Sequence, residues 1–231
     1  MPTLSIIMPV LDEAALIGGA LAALAPFRQR GVEVIVADGG SGDATIAVAR
    51  PLADRVVSAP RGRGSQMNAG AAAARGDVLL FLHADTGLPP QAERLVLDAM
   101  AKPGRAWGRF DVTIVGTHPL LPLVARMMNL RSRMTGIATG DQAIFVRRST
   151  FEEAGGFPDI PLMEDIALCA RLRRLGRPLC LAERVTTSGR RWERHGVLRT
   201  IVTMWGLRLA YWLGAEPAAL ARRYGYVPRQ A

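Results

Sequence analysis

Cysteine is scarce in this chain of 231 residues, with Cys169 and Cys180 the two present. That is too few for a disulfide framework, and their helix-like and strand-like surroundings predict buried free thiols. Aromatic residues reach 6%, and no zinc-finger or RNA-reading signature accompanies them, so no nucleic-acid partner is expected. No signal peptide is expected either, because the first apolar run, 4–10, is short and reaches the polar pair Asp12 and Glu13. No G-x-G-x-x-G joins that run to a helix, which argues against a nicotinamide or flavin dinucleotide enzyme. Residues 197–214 are strongly apolar, yet Arg199 and Arg208 interrupt them. A mid-bilayer arginine costs about 2.5 kcal/mol or more, so a lone membrane span is not expected. No low-complexity linker or repeat divides the chain, which reads as one domain over 1–231 with 190–231 as a C-terminal helical extension.

What is present is a well-mixed globular composition, 49% apolar, enough to bury a full core. The formal net charge of +9 fits a solvated arginine-rich surface, and it also suits an anionic partner such as a nucleoside diphosphate or an anionic membrane surface. Residues 4–10 form a nearly continuous apolar run, as expected of a buried strand. Asp12 and Glu13 then open an apolar-periodic helix bounded by Pro26. Further strands are predicted over 32–37, 55–58 and 77–82, with helices over 44–50 and 66–75 between them. Such alternation with short links predicts an α/β fold whose sheet is parallel and covered by helices on both faces. Ligands of these sheets bind outside the carboxyl ends of the strands. Asp12/Glu13, Asp38 and His83/Asp85 each follow a strand directly, so they are expected along one rim. Beyond them, helices are predicted over 91–102, 120–133 and 163–175, and strands over 109–115, 141–146 and 178–185.

Four clusters carry chemistry. Asp38 ends a strand and precedes Gly-Gly-Ser-Gly-Asp. It can accept hydrogen bonds from a base or ribose while the glycines allow close backbone approach; a tight turn capped by Asp43 is the plainer alternative. Arg61 and Arg63 alternate with glycines before a helix. They can grip a diphosphate by charge-assisted hydrogen bonds, or form only a solvated basic loop. His83 and Asp85 lie two apart in an extended segment, so they can face one divalent ion. Mg²⁺ prefers oxygen ligands, and the histidine tilts the choice toward Mn²⁺. Glu164 and Asp165 open a helix. They can be dipole partners or a general base for an acceptor hydroxyl, and local sequence does not choose between the two.

The clusters sit inside longer motifs: SIIMPVLDE (5–13, with Pro9 and Glu13), VIVADGGSGDAT (34–45), QMNAGAAAARGDVLLFLHADT (66–86, with Asn68), and a segment from Gly140 to Gly176 that holds Asp141, Gly-Gly-Phe and the Glu-Asp pair. In this order they resemble glycosyltransferase family 2, and most closely its short bacterial radical-SAM/selenodomain-associated group. The resemblance implies a GT-A, Rossmann-like fold and inverting transfer of a sugar from a nucleoside diphosphate donor, UDP-linked, to a hydroxyl acceptor with Mn²⁺ or Mg²⁺. Carried over by position, Asp38 binds the base with Glu13 nearby, Asp85 holds the metal, and Asp165, or else Glu164, is the catalytic base. Pro9, Asn68 and Asp141 join the donor-binding set through the same motifs. Two departures stand out. His83 occupies the place of the metal motif's first Asp. Met67 stands where many relatives carry Arg, which leaves the diphosphate to Arg61 or Arg63. The Gln-x-x-Arg-Trp motif of processive relatives survives as an echo in Arg190-Arg191-Trp192, and with no multi-pass region polymer extrusion is not expected. His195 reads as a surface histidine rather than a late metal ligand.

Two rivals stay open: a sugar nucleotidyltransferase, which wants a glycine-rich phosphate loop straight after the first strand, and a nucleotide-sugar-binding protein that has lost catalysis. The expected setting is the cytoplasm. The apolar stretch 197–214 suits the core, a second subunit in a homodimer, or peripheral contact with the inner face of a membrane, where the acceptor would be lipid-linked.

Overall fold

The computed structural model describes residues 2–226. Its central strand β1 (Leu4–Val10) is buried along almost its whole length, as a continuous apolar run requires. β2 (Glu33–Asp38) pairs with it in parallel on one side and β4 (Val78–Phe81) on the other, and β3 (Arg55–Ser58) extends the sheet beyond β2. Between these strands lie α1 (Ala14–Gln29), α2 (Thr45–Ala49) and α3 (Arg63–Ala73). The second half adds β5 (Thr86–Gly87), α4 (Ala92–Ala101), β6 (Trp107–Val115), α5 (Leu121–Thr135), a 3₁₀ turn at Gly140–Gln142, β7 (Phe145–Arg147) and α6 (Arg148–Glu153). α7 (Glu164–Leu175), β8 (Leu179–Ser188), α8 (Arg190–His195), α9 (Val197–Trp212) and α10 (Pro217–Arg223) follow. The helical extension foreseen over 190–231 thus comprises α8 to α10, with 227–231 outside the described residues.

All eight strands form one sheet in the order β3-β2-β1-β4-β7-β6-β8-β5. β7 and β5 run against their neighbours and the other strands run parallel, so the expected α/β architecture with a mainly parallel sheet is present. Strand alternation splits the core into two layers. Ile6, Met8 and Val10 of β1 face α1 and α4, where Ile17, Leu21, Val96 and Met100 are buried. Ile7 faces the other way, toward Met67 of α3, Phe151 of α6, and Leu168 and Leu172 of α7.

Three expectations are corrected. Pro26 lies inside α1 rather than ending it. The last turn persists because Phe27 is buried and Arg28 donates to Leu52 O at 2.9 Å and pairs with Asp54 at 2.7 Å. That anchoring outweighs the lost backbone donor. The strand foreseen over 141–146 shrinks to β7, because residues 140–142 close a 3₁₀ turn in which Gln142 N donates to Thr139 O at 2.9 Å. Cys169 is buried but Cys180 only half so, and both are free thiols.

One buried polar network has no counterpart in the sequence pattern. Arg109 of β6 is fully buried, pairs with Asp111 and donates to Asn129 O at 3.2 Å. The Asn129 amide on α5 exchanges hydrogen bonds with the Val112 backbone at 2.8 and 3.0 Å. Gln142 of the 3₁₀ turn donates to Ser132 Oγ on α5 at 3.0 Å, and its side-chain carbonyl accepts from Thr139 N at 3.3 Å. Arg133 joins from the surface, donating to Asp111 at 2.8 Å, while Arg109 Nε has no partner among the described residues; the bonds that are made tie β6, α5 and the 3₁₀ turn into one arrangement.

Candidate active site

Parallel strands β1, β2 and β4 end side by side, so the polar residues after them meet at one edge. Asp38, the last residue of β2, is 1% exposed. Its carboxylate accepts from Gly40 N at 2.9 Å, from Ser41 N at 3.1 Å and from the Ser41 hydroxyl, so it shapes the glycine turn from within. Asp12 and Asp43 lace that turn to the end of β1: Gly42 N donates to Asp12 Oδ1 at 2.8 Å, and Ala14 N donates to Asp43 Oδ2 at 3.1 Å. Glu13 stands between them, half-buried, with its own N–H on Thr45 Oγ1 at 2.8 Å. Burial first, then the nearby Asp85 carboxylate, push the Glu13 carboxyl above the ordinary range. The expected rim is therefore real in space, and it brings two carboxylates from β1 and β4 close enough to repel. Pro9 lies in β1 itself, half-buried and paired with Ala37.

His83 and Asp85 part company. Asp85 is exposed and takes only a weak contact from the Thr86 hydroxyl at 3.4 Å. The His83 ring instead turns to the 3₁₀ turn: Nδ1 lies 3.5 Å from Asp141 Oδ1, and the Nε2–Cε1 edge packs on Gly140 so closely that a Cβ there would overlap it. Burial opposes the His83 charge, but the Asp141 carboxylate more than offsets it and raises the imidazole above its ordinary value. Among the described residues no three His, Cys, Asp or Glu side chains form a metal cage. The carboxylate open to a divalent ion is Asp85, and the negative charge of nearby Glu13 favours a cation there. Mg²⁺ typically binds through one or two carboxylates and completes its shell with water and substrate phosphate.

The acidic pair at the start of α7 divides in the same way. Glu164 is 2% exposed, pairs with Arg63 Nε at 2.8 Å, and among the described residues leaves Oε2 without a partner. Burial, and then the adjacent Asp165, raise its carboxyl although Arg63 pulls it down. Asp165 lines a cavity of about 790 Å³, which Asp85, Asp141, His83 and Arg63 also line. Gly140 N donates to Asp165 Oδ2 at 3.0 Å and Ile166 N to Oδ1 at 2.7 Å, which fix the carboxylate. Arg61 is exposed, with its guanidinium 5.8 Å from the Tyr226 ring centroid. Asn68 lies away from the rim: its amide donates to Phe157 O at 2.8 Å and accepts from Phe157 N at 2.9 Å, tying α3 to the loop before α7. His195 is an exposed residue at the end of α8.

Backbone strain marks the same region. Among the described residues, Asp12, Ala143 and Met163 are the non-glycine residues with left-handed φ, at 54°, 45° and 71°. Each lies one or two positions from Glu13, Asp141 or Glu164. Such conformations cost about 1–3 kcal/mol and gather at functional sites. Nothing in the identity of an alanine or a methionine announces them.

A family model described as glycosyl transferase family 2 matches residues 5–153. The chain is 28% identical over 204 residues to the "Probable glycosyltransferase YdaM" of Bacillus subtilis (strain 168), an alignment covering 76% of this chain and 48% of that protein. It thus spans about half the length of that relative. Among solved structures it is similar to residues 1–349 of S. aureus TarS in complex with UDP, with a TM-score of 0.65 at 19% identity, covering 80% of this chain and 60% of that one. It is also similar to the mannosyltransferase PcManGT from Pyrobaculum calidifontis in complex with GDP-Man and Mn²⁺, with a TM-score of 0.64 at 21% identity, covering 98% and 66%. These likenesses show the GT-A fold.

Proposed function

Since the chain belongs to glycosyl transferase family 2, whose model covers residues 5–153, we propose that it moves a sugar from a nucleoside diphosphate donor to a hydroxyl acceptor with inversion. The observation that carries the reading is that Asp165 and Asp85 line one cavity, the first fixed by two backbone N–H groups and the second open. In this reading Asp165 takes the proton of the acceptor hydroxyl. That oxygen bonds to the anomeric carbon as the bond to the diphosphate breaks on the opposite face, so one displacement inverts the centre. Asp85 would hold Mn²⁺ or Mg²⁺ together with the diphosphate, and the ion would offset the charge that builds on the leaving group. Glu13 and the turn shaped by Asp38 receive the base and ribose, with UDP the first donor to test. Arg61 is free to reach the phosphates, whereas Arg63 would have to leave Glu164 to do so. His83 and Asp141 support the turn that holds Asp165. The motif set supports placing the chain in the short radical-SAM/selenodomain-associated group.

A thermal-shift screen of nucleotide sugars with Mn²⁺ present tests the reading, because a bound donor raises the melting temperature. Asp165→Asn should then lower kcat by roughly 10²–10⁴-fold, the usual worth of a general base, with donor affinity kept. Full turnover in that variant would refute the assignment. We further place the enzyme at the inner face of a membrane. No helix among the described residues is long and apolar enough to cross one, but Val202, Leu209 and Trp212 leave an exposed apolar stripe on α9. Flotation with anionic vesicles at low salt checks this, and protein left wholly in the soluble fraction would disprove it.

A further inference from the structure

Two arginines in the Asp165 cavity lack partners. Arg131 of α5 and Arg208 of α9 both line it. Arg131 Nε and Nη2 and Arg208 Nε are buried without a hydrogen-bond partner among the described residues. Buried cationic donors are costly until an anion meets them, and here each cation worsens the position of the other. Burial and the neighbouring Arg208 push the Arg131 guanidinium down to about 10. The Asp165 and Asp141 carboxylates offset this only in part, and among the described residues neither makes a hydrogen bond or ion pair with Arg131 or Arg208.

Outward from these charged groups the lining is largely apolar, with Thr135, Thr187, Ser188 and Arg191 among its polar residues. Leu123, Met127, Leu130 and Met134 recur along one face of α5, and Leu198 and Trp205 of α9 line the same groove. These side chains are large yet open to solvent, Met134 at 71% and Trp205 at 66%. A contiguous exposed apolar surface of this kind marks a binding groove. The lining includes Asp85 and Asp165 but neither Glu13 nor Asp38, so the groove leads from the reacting centre away from the donor rim. A donor needs no such surface, whereas an amphiphile needs both parts of it: cations at the inner end and an apolar track outward.

We propose that the groove between α5 and α9 takes the acceptor, and that the acceptor is an anionic amphiphile. Its phosphate or carboxylate group sits between Arg131 and Arg208, its hydroxyl faces Asp165, and its apolar chain lies along Met127, Met134 and Trp205. This rests on the transferase reading above and names the substrate class of the same site.

Dodecyl phosphate, kept below its micelle-forming concentration, is the probe, with binding followed by tryptophan fluorescence and Trp205→Phe as the signal control. Dodecyl maltoside supplies the chain without the anion, and inorganic phosphate the anion without the chain. UDP with Mn²⁺ is titrated calorimetrically on the same proteins. Dodecyl phosphate should bind at least tenfold more tightly than either control. The Arg131→Gln/Arg208→Gln double variant should lose that preference tenfold while its UDP affinity stays within twofold. The Arg131→Lys/Arg208→Lys variant, which keeps the charge, should retain most of the preference and so separates lost recognition from lost folding. Equal binding of dodecyl maltoside would overturn the proposal. So would a tenfold loss of UDP affinity in the glutamine variant with dodecyl phosphate binding unchanged, since the arginines would then serve the donor. Absence of nucleotide binding by the unaltered protein would refute the transferase reading instead, and the dodecyl phosphate preference would still report on the anion site.

Discussion

Gly140→Ala isolates the contact on which the His83 ring rests. Gly140 does not occupy the left-handed region, so the backbone itself accepts alanine. The obstacle is the side chain opposite: an added Cβ would lie nearer than 3.0 Å to both Nε2 and Cε1 of His83, a separation that real Cβ atoms do not keep. The ring is hemmed in, with Nδ1 facing Asp141, so the turn or the ring must move. Overpacking of this kind costs about 1–3 kcal/mol. In a chain of this length each kcal/mol lowers Tm by roughly 2–4 °C, so the variant should melt roughly 2–12 °C lower. The turn also carries the N–H that fixes Asp165, and kcat should fall more than KM rises. Calorimetric melting of the wild type, Gly140→Ala, His83→Ala and the double variant gives the decisive cycle. With the ring removed the alanine has room, so the two changes should couple by about 0.5–3 kcal/mol. An unchanged Tm for Gly140→Ala, or strict additivity with His83→Ala, would refute the assigned packing.

Other consequences are as direct. Asn68→Ala removes both hydrogen bonds to the Phe157 backbone and should destabilise by about 2 kcal/mol in urea unfolding, with UDP affinity unchanged. Burial raises the Cys169 thiol to about 12, so alkylation of the native protein at pH 8 should mark Cys180, with Cys169 reacting only after unfolding; mass spectrometry reads the sites. Hydrogen bonds from the Thr45 hydroxyl and N–H hold the Asp43 carboxyl below its ordinary value of 3.8. A depressed carboxyl stabilises above its unfolded value and loses that contribution as pH falls through its folded value. Asp43→Asn should therefore melt with a shallower acid dependence below about pH 4, and an unaltered profile would count against the lacing of the rim.

Much of the first half was legible because its signals are local. The run 4–10 is strand β1 to the residue, and Arg55–Ser58 is strand β3. The rule that ligands gather at strand ends is enough to bring Glu13, Asp38 and Asp85 to one rim. What escaped depends on partners distant in the chain. Pro26 promised a helix end, but Asp54 and the buried Phe27 decide otherwise. Asn68 matched a motif, yet its amide is claimed by Phe157, 89 residues later. His83 took the place of a metal ligand, while its orientation follows from a gap left by Gly140. The Glu164–Asp165 pair could not be ranked locally, because one acid is buried against Arg63 and the other faces the cavity. The left-handed residues Ala143 and Met163 gave no compositional sign at all.

The amide network under α5 has a mechanical consequence. Gln142 clasps Ser132 of that helix while belonging to the same short turn as Gly140, whose N–H steadies Asp165. Asn129, three residues before Ser132, is locked to β6 on both edges of its amide. Sliding the helix away from the turn would strip buried groups of their partners at about 1–3 kcal/mol each. Groove wall, turn and carboxylate therefore travel as a single lever. A molecule that wedges α5 outward also shifts the Asp165 carboxylate, and one that seats without strain leaves it in place.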